Sequence, residues 1–473
     1  MISARRHNTA QHGFDRKLIA PMILGSVLNP VNSSMIAVSL IPIGTAFGAP
    51  PSQTAWLVSA LYLATAVGQP IVGRLVDTYG PRRLYLAGTA LTGVAGILGA
   101  LAPSLGMLIT ARVLLGLGTC AGYPAAMYLL RSESQRTGHD GPNGVLTALA
   151  VASQTISVIG PTLGGLLIGL GGWRTTFSVN IPLSAACLTL GALRLPKTPA
   201  RTADTHRTNM DLAGIALFTA MLTTLLLFLM SPHTDHWYLL LLSAAAATGL
   251  AIRELHTTQP FIDLRVLAGN IPILATFGRN LLSFTVSYAF LYGYTQWLEE
   301  GRALSPSAAG LVLLPMFLIA IVVSSLTGRR TEVRGKLIIG GTAQIIACAT
   351  LLLIHPDSPI WLLVAATVIV GIPQGLNNLA NQNALYHQAD PARMGSTAGL
   401  LRTFTYLGAM IASAASGSFL NHGADTTGLH NLATFMTASA VLFLTATLLD
   451  RSLRRIGPTT TKTSHDKKES STC

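Results

Sequence analysis

Charged residues are scarce in this sequence. Asp, Glu, Lys and Arg make up only 10% of its 473 residues, whereas soluble domains contain about 25%. Half of the residues are apolar and the mean hydropathy is +0.52, which argues against a water-soluble enzyme. Neither a paired-acid site, a Ser/His constellation nor a phosphate-binding loop occurs. We therefore expect no enzymatic activity and no cofactor.

Cysteines are also few, which limits disulfide and metal chemistry. The chain has four, and Cys120, Cys187 and Cys348 lie inside apolar runs while Cys473 ends a polar tail. This arrangement gives neither a disulfide framework nor the spacing of a metal site. We expect no bound metal.

Long apolar runs, by contrast, recur along most of the chain. Runs of about 17 to 25 residues are long enough to cross a bilayer as helices. Their number predicts an all-α integral membrane protein with fourteen transmembrane helices and the lipid bilayer as its surroundings. The predicted spans are 18–47, 54–73, 84–102, 107–130, 144–169, 175–193, 211–230, 237–252, 271–298, 306–327, 337–354, 359–383, 395–418 and 432–449.

Basic residues fall almost entirely on one side of this topology. With the N-terminus inside, only Arg174 and Arg302 lie in outside loops, and Arg112, Arg279 and Arg402 lie within spans. Cytoplasmic loops are enriched in Lys and Arg, so we expect a multi-pass protein of the cell (inner) membrane with both termini cytoplasmic. The net charge of +13 then reflects insertion topology, and we expect no nucleic-acid partner.

One inside loop of the first half recurs in the second half. A shift of 255 residues relates Gly73, Arg74, Asp77 and Gly80 to Gly328, Arg329, Glu332 and Gly335, and also relates Gly116 to Gly371. Parallel six-span repeats build a major class of secondary transporters, whose substrate site lies between the halves. The predicted parts are an N-terminal six-helix bundle (1–194), a linker with an inserted helix pair at about 211–252 (195–270), a C-terminal six-helix bundle (271–450) and a disordered cytoplasmic tail (451–473).

Several segments resemble the major facilitator superfamily. The stretch from Gly73 to Arg83 resembles its signature loop, and Arg112 with the glycines that follow resembles its span-four motif. Gly160, Pro161, Gly164 and Gly165 resemble its antiporter motif, and residues 173–182 resemble the entry to span six of fourteen-span drug:proton antiporters. The resemblance implies a major facilitator fold of two six-helix bundles plus two inserted helices. It also implies a role for Arg112 in proton transfer or substrate binding, and a link between the span-five glycines and antiport, although close helix packing explains those glycines equally well.

Asp77 is the candidate gating residue. It precedes a tight turn at Gly80, where a carboxylate is placed to meet the positive end of another helix. Asp390-Pro391 predicts the start of span thirteen, so Asp77 docked there would hold the inner gate shut, with Arg82 or Arg83 nearby. The alternative is an ordinary turn with solvated charges. The candidate gating residues are Gly73, Asp77, Gly80, Arg82 and Arg83 in the first half and Gly328, Glu332 and Gly335 in the second.

Acidic residues are missing from the middle of every predicted span. Ser33 stands where fourteen-span exporters carry a span-one Asp, which puts proton coupling by such a carboxylate in doubt. With arginines and no acid inside, we expect neutral or anionic amphiphiles to be preferred to cationic drugs. The possible cavity residues are Asn29, Asn32, Ser33, Gln154, Arg279, Tyr292, Gln296, Gln374, Asn378 and Arg402.

The functional hypothesis is a secondary active transporter. We expect it to export small amphiphilic molecules or drugs across the cytoplasmic membrane by alternating access, with protons as the coupling ion and the monomer as the functional unit. One alternative is a nutrient symporter or facilitator with the same fold. Another, of a different class, is a membrane receptor or scaffold that does not transport.

Overall fold

The structure is a computed structural model that describes residues 14–137, 143–197, 211–230, 234–258, 260–328, 330, 332–420 and 424–456. Most of the linker predicted between the first half and the inserted pair lies outside these ranges. Arg329 and most of the predicted tail, including Cys473, lie outside them as well.

Long helices make up nearly all of the described chain, and no β-strand occurs in those ranges. We number them α1 (Ile19–Phe47), α2 (Trp56–Tyr79), α3 (Pro81–Ala100), α4 (Leu105–Thr137, broken at Cys120 and Ala121), α5 (Asn143–Gly171), α6 (Thr175–Arg194), α7 (Leu212–Met230), α8 (Trp237–His256), α9 (Ile271–Ala289), α10 (Pro306–Thr327), α11 (Val333–Leu351), α12 (Ile360–Gln388), α13 (Met394–Phe419) and α14 (Thr426–Leu449).

Each predicted span corresponds to one of these helices, but several ends differ. Helix α2 continues six residues beyond the predicted end at residue 73 because Arg74 and Asp77 do not interrupt a helix; Gly80, at φ 90°, ends it. Helix α9 passes into π-helical turns at Phe290–Tyr294 and Trp297–Gly301.

Eleven of the described helices are long and apolar enough to cross a membrane. The three that fall outside this group are α9, α11 and α13. Helix α13 is rich in Gly, Ser and Thr, which lowers its hydropathy although it packs inside the bundle. The structure therefore supports a multi-pass membrane protein, and the count of fourteen spans stays a prediction.

The first half (α1–α6) and the second half (α9–α14) use the same helix pairs. Helix α2 packs on α4, α3 on α4 and α6, and α1 on α5; in the second half α10 packs on α12, α11 on α12 and α14, and α9 on α13. The repeated glycines lie at equivalent contacts. A Cβ added to Gly116 would lie 2.8 Å from Ala64, and one added to Gly371 would lie 2.7 Å from Ile319. The sequence repeat thus recurs as a repeat in packing.

The halves meet through two equivalent helix pairs, α2 with α13 and α5 with α10. We call the end of the bundle at which Gly80 lies the Gly80 end. At that end a Cβ on Gly328 of α10 would collide with Thr147 of α5. Further into the bundle Gln154 donates to Ser324 Oγ at 3.3 Å. The α5–α10 contact therefore closes the Gly80 end on one side of the interface.

The inserted pair lies at the seam between the halves. Helices α7 and α8 pack on each other, and α7 also packs on α2 and α13. An apolar cluster joins them, with Phe218 and Leu222 of α7 against Ala66 of α2 and Met410 of α13. The pair is therefore placed beside the helices that carry the candidate gate.

Candidate gate and central cavity

The Asp77 carboxylate lies on the N-terminus of α13. Its Oδ1 accepts a hydrogen bond from the backbone N–H of Gly395 at 2.7 Å, and its Oδ2 accepts one from the backbone N–H of Ser396 at 2.8 Å. The Ser396 hydroxyl also donates to Oδ2. The first N–H groups of a helix have no intrahelical partner and carry partial positive charge. Asp77 therefore links α2 of the first half to α13 of the second by a charge-assisted contact.

Glycine allows this contact because the two backbones touch. A Cβ on Gly73 would lie 2.3 Å from the carbonyl oxygen of Gly395, and one on Gly399 would lie 2.3 Å from the carbonyl oxygen of Gln69. Real Cβ atoms do not approach backbone atoms so closely. Deeper in the bundle, Thr403 Oγ1 donates to the carbonyl of Ala66 at 2.7 Å. The α2–α13 crossing is therefore tight over several turns.

The structure departs from the predicted gate in two details. Asp390 caps a short turn at Pro391–Arg393 by accepting from Ala392 N at 2.9 Å, and α13 begins only after that turn. Arg82 does not approach Asp77: its Nη2 donates to the carbonyl of Ala192, at the end of α6, at 2.9 Å. The free carbonyls at a helix C-terminus attract a cation, which explains the position of Arg82. Arg83 is exposed.

The second-half loop is not a mirror of the first. Glu332, which corresponds to Asp77, is exposed and precedes the start of α11 without capping it through its side chain. The nearest neighbour of a Cβ added to Gly335 would be Glu332 Oε2, at 3.7 Å. Only Gly328 of the three predicted residues lies at the interface between the halves. The two acids of the sequence repeat therefore differ in the structure: Asp77 binds the N-terminus of α13, whereas Glu332 is exposed.

Arg112 is buried in the first half and is held by backbone carbonyls. Its Nε donates to the carbonyl of Leu57 at 2.7 Å and its Nη1 to the carbonyl of Asn32 at 3.1 Å. Within the described ranges no group accepts from Nη2, and no ion pair involves this arginine. A buried guanidinium without a carboxylate keeps its full charge available to a ligand or a proton carrier.

Arg402 of α13 is a second cation inside the bundle. Its guanidinium lies 4.0 Å from the ring centre of Tyr123 of α4, which makes a cation–π contact between the halves. It too lacks an ion pair among the described residues. Tyrosines lie between the two cations: the Tyr62 and Tyr406 rings are 5.7 Å apart, and the Tyr62 hydroxyl contacts Tyr292. The centre is thus cationic, aromatic and rich in hydroxyl groups.

Asn29 and Ser33 of α1 join this centre. The Tyr406 hydroxyl donates to Asn29 Oδ1 at 2.9 Å, and Asn29 Nδ2 donates to Thr119 Oγ1 at 3.0 Å. The Ser33 hydroxyl donates to the carbonyl of Asn29 at 3.0 Å and also contacts Tyr62. Both residues of the predicted cavity therefore lie among the tyrosines, and Asn29 connects α1 to the second half.

Three other predicted cavity residues are used for packing. Asn32 forms a reciprocal amide pair with Asn180 of α6, at 2.7 and 2.9 Å, because its amide is turned into the first half. Arg279 Nη1 pairs with Asp450 Oδ2 at 2.7 Å, directly after the end of α14, so its charge is already compensated. Gln154 bridges α5 and α10 through its contact with Ser324.

The remaining predicted cavity residues are spread along the second half. Gln374 and Asn378 are half-buried on one face of α12, and Asn378 Oδ1 accepts from Gln382 at 2.7 Å. Gln296 of the π-helical segment donates to Glu300 at 3.2 Å, beyond the tyrosines. These three predicted cavity residues therefore make hydrogen bonds or lie half-buried within the second half, and their role in a cavity stays a prediction.

The antiporter-like glycines lie between α5 and α1. A Cβ on Gly160 would lie 1.8 Å from Ser34 Oγ, and one on Gly164 would lie 2.8 Å from Val38. Nothing lies within 4 Å of a Cβ on Gly165, and α5 continues through Pro161. Two of the four residues therefore permit close packing of α5 on α1.

Some contacts at this site have little sequence signal. Tyr406 follows Arg402 by one helical turn, so the spacing alone would have placed both on one face. The partners Ser396, Thr403 and Thr119 are small polar residues of a kind that recurs throughout the helices, and nothing in the sequence singles them out. The π-helical turns that carry Tyr292 likewise have no sequence signature.

The family follows from a comparison with protein-family models. Residues 22–413 match the model described as Major Facilitator Superfamily. The chain belongs to this superfamily. It is 33% identical over 421 residues to the MFS-type transporter YwoD of Bacillus subtilis, covering 86% of this chain and 90% of that protein. It is 30% identical over 443 residues to a lincomycin resistance protein of Streptomyces lincolnensis, with 90% of each chain covered.

A further relative is named as a transporter of riboflavin and not as a drug-resistance protein. The riboflavin transporter RibZ of Clostridioides difficile is 25% identical over 406 residues, covering 84% of this chain and 86% of that protein. The protein is thus a superfamily transporter whose relatives include both drug-resistance proteins and a vitamin carrier.

Proposed function

We propose that the protein exports small amphiphilic molecules or drugs by alternating access, driven by proton antiport. The observation that carries this proposal is the Asp77 contact on α13. It joins the two halves at the Gly80 end through hydrogen bonds to a charge, which break when the halves separate. A contact of this kind favours one of two states until substrate or proton binding offsets it.

The orientation expected of the basic loops assigns a conformational state to the structure. If the Gly80 end faces the cytoplasm, the structure corresponds to a carrier closed on the inside. Export is supported by the drug-resistance relatives and by the antiporter-like residues Gly160 to Gly165. We propose a monomer in the cytoplasmic membrane, with both termini inside and each monomer carrying its own cavity.

The charges of the central cavity support a substrate class. Arg112 and Arg402 contribute positive charge, and the described spans place carboxylates only towards their ends. A neutral or anionic amphiphile with an aromatic ring would stack on the tyrosines and offset the uncompensated cations. A cationic drug would be repelled, since no mid-membrane acid opposes the arginines.

A nutrient carrier is the second candidate, and the riboflavin transporter relative favours it. The fold and the Asp77 contact suit import as well as export. The two candidates differ in the sign of the coupling, because an antiporter moves substrate against the proton flow and a symporter moves it with the proton flow.

The decisive experiment uses the purified full chain in lipid vesicles. Uptake of an anionic fluorescent amphiphile and of a cationic dye is recorded with and without an imposed pH gradient. Antiport predicts accumulation in the more acidic compartment and faster transport of the anionic probe. Flux that ignores the gradient would remove the proton coupling, and accumulation in the alkaline compartment would favour the symporter.

A receptor or scaffold is tested in the same vesicles. The Asp77→Asn variant should change the flux strongly, whereas Glu332→Gln removes the corresponding exposed acid of the second half and should not. Equal flux in empty and protein-containing vesicles for every probe would favour a protein that does not transport.

A further inference from the structure

Two carboxylates meet where the inserted pair joins the bundle. Asp211 lies directly before α7 and Glu254 lies in the last turns of α8. Both residues are buried, and Glu254 has no exposed surface. A Cβ on Gly214 would lie 2.5 Å from Asp211 Oδ2 and 2.9 Å from Glu254 Oε1. The two acids therefore converge on the same glycine, in a part of the protein that the proposed substrate route does not use.

Each carboxylate has one oxygen engaged and one without a partner. Asp211 Oδ1 accepts from Gly214 N at 2.8 Å and from Arg253 Nε at 2.7 Å. Glu254 Oε1 accepts from Ile262 N at 3.2 Å. In the part of the chain that the structure describes, no hydrogen bond reaches Asp211 Oδ2 or Glu254 Oε2, and both atoms are inaccessible to water. An orphaned buried oxygen on a charged group is costly.

The charges around the pair do not balance. The titratable and charged groups that face Glu254 are Asp211, the neighbouring Arg253 and Asp263 of the following loop. Arg253 is already paired with Asp211, and Asp263 is paired with Arg393 at 3.0 Å. Among the described residues, one guanidinium thus serves two buried carboxylates. Two acids in such contact do not both ionise, because each charge opposes the other and neither is solvated.

We propose that Asp211 and Glu254 form a proton-binding site and share one proton at neutral pH. The proton resides on Glu254, because the engaged oxygen of Glu254 accepts a backbone N–H and no cation, whereas Asp211 holds Arg253. A protonated Glu254 donates to the free Asp211 Oδ2, so a single proton removes the excess charge and supplies a partner for that orphaned oxygen.

The site is connected to the gate by a short stretch of chain. Glu254 holds Ile262 by its backbone N–H, and the next residue, Asp263, binds Arg393. Arg393 immediately precedes α13, on whose first turn Asp77 docks. Loss of the proton would place a second charge beside Asp211 and would strengthen the hydrogen bond from Ile262 N–H to Glu254, which changes how Ile262 and Asp263 are held against Arg393. The inserted pair thereby makes the inner closure sensitive to pH.

Infrared spectroscopy of the full chain in lipid tests the site without relying on transport. A neutral carboxyl group has a carbonyl stretch that a carboxylate lacks. At pH 7 the difference between wild type and Glu254→Gln should contain one such band. Asp211→Asn should shift that band, because the acceptor of its hydrogen bond changes, and Asp357→Asn, at an exposed acid, should leave it unaltered. Glutamine can donate the same hydrogen bond as protonated glutamic acid, so the fold should persist.

Several results would overturn the site. Absence of the band from the wild-type difference spectrum at pH 7 means that Glu254 is ionised. A band that appears only after sodium is removed means that a metal ion occupies the pair. Should Glu254→Gln fail to fold, Asp211→Asn keeps Glu254 in place, and an unshifted band in that variant would contradict the shared proton. Failure of proton-driven export alone would leave the band in place, so the two proposals fail separately.

Discussion

The Asp77 contact makes a quantitative prediction about the balance between closed and open states. The carboxylate accepts two backbone N–H bonds and one hydroxyl bond from the first turn of α13. Asp77→Asn keeps the shape of the side chain but removes its charge. It also replaces one acceptor oxygen by an NH₂ group, which then faces a donor. The substitution therefore weakens the closed Gly80 end without altering helix packing.

The expected magnitude follows from the hydrogen bonds that are lost. A hydrogen bond to a charged group contributes about 1.5–3 kcal/mol, and a negative charge at a helix N-terminus contributes about 0.3–1 kcal/mol where it is exposed and up to ~2 kcal/mol where it is partly buried. Because one acceptor survives in asparagine, we expect a net loss of about 2–3 kcal/mol. This corresponds to roughly a 30- to 150-fold shift in the closed-to-open ratio, at about 1.4 kcal/mol for each factor of ten.

Distances between spin labels measure this shift. Arg194 and Ala392 are exposed at the Gly80 end, one in each half, and can carry the labels in a background without cysteine. Wild type should give mainly a short distance, and Asp77→Asn should add a longer one as the major component. Glu332→Gln removes an acid from the corresponding loop, where the structure shows it exposed, and should leave the distribution unchanged. An unchanged Asp77→Asn distribution, or an equal effect of Glu332→Gln, would refute the reasoning.

Three further predictions concern packing, the buried cation and pH. Gly73→Ala should lower the free energy of unfolding by about 1–3 kcal/mol, whereas Gly165→Ala, whose added Cβ would lie in open space, should not. Thermal unfolding measures both variants, and equal melting temperatures would contradict the close crossing of α2 and α13. Arg112→Lys should reduce vesicle flux about 10-fold or more, because an ammonium group cannot serve two carbonyls in the fixed geometry of a guanidinium. An Arg112→Lys variant with wild-type flux would show that the two guanidinium hydrogen bonds are dispensable. Burial opposes ionisation of Asp450, but hydrogen bonds from Ser452 and Arg279 outweigh it and hold its pKa below the ordinary value. The stability that the Asp450 carboxylate contributes is therefore present above its pKa in the unfolded chain and is lost as the pH falls through its pKa in the folded protein. Below about pH 4, wild type should lose thermal stability more steeply than Asp450→Asn. Parallel curves of melting temperature against pH would exclude this contribution.

The helices and the Asp77 contact are predictable because their signals are local or repeated. Apolar runs fix where helices form, and the loop around Asp77 recurs 255 residues later. A carboxylate beside a glycine turn, together with a proline-marked helix start, suggested which two elements would touch. The sequence could not reveal that Glu332 lacks, among the described residues, the helix N-terminus that Asp77 binds. Both acids occupy the same place in the motif, and they differ only in which residues of the opposite half lie beside them.

Contacts that join distant parts of the chain were not predictable. Arg279 was expected in the cavity, yet its partner Asp450 lies at the far end of the second half and closes an ion pair near the Gly80 end. In the sequence, Asp211 and Glu254 stand at the two outer ends of the inserted pair, 43 positions apart. Their orphaned oxygens become visible only when α7 and α8 are packed together, because burial and hydrogen bonding are properties of the fold.

The two arginines at the centre of the bundle bear on both the proposed substrate class and the proposed gate. Arg112 is fully buried and Arg402 half-buried, and each lacks a carboxylate partner within the described ranges. A buried cation without a counter-ion is unfavourable, so the anionic substrate group of the proposed function would relieve this cost by binding between them. Tyr406 connects the two halves through Asn29, and it follows Arg402 on the helix that Asp77 holds at its start. Under the proposed function, a substrate that draws Arg402 towards Arg112 would act on α13 itself and, through α13, on the Asp77 contact.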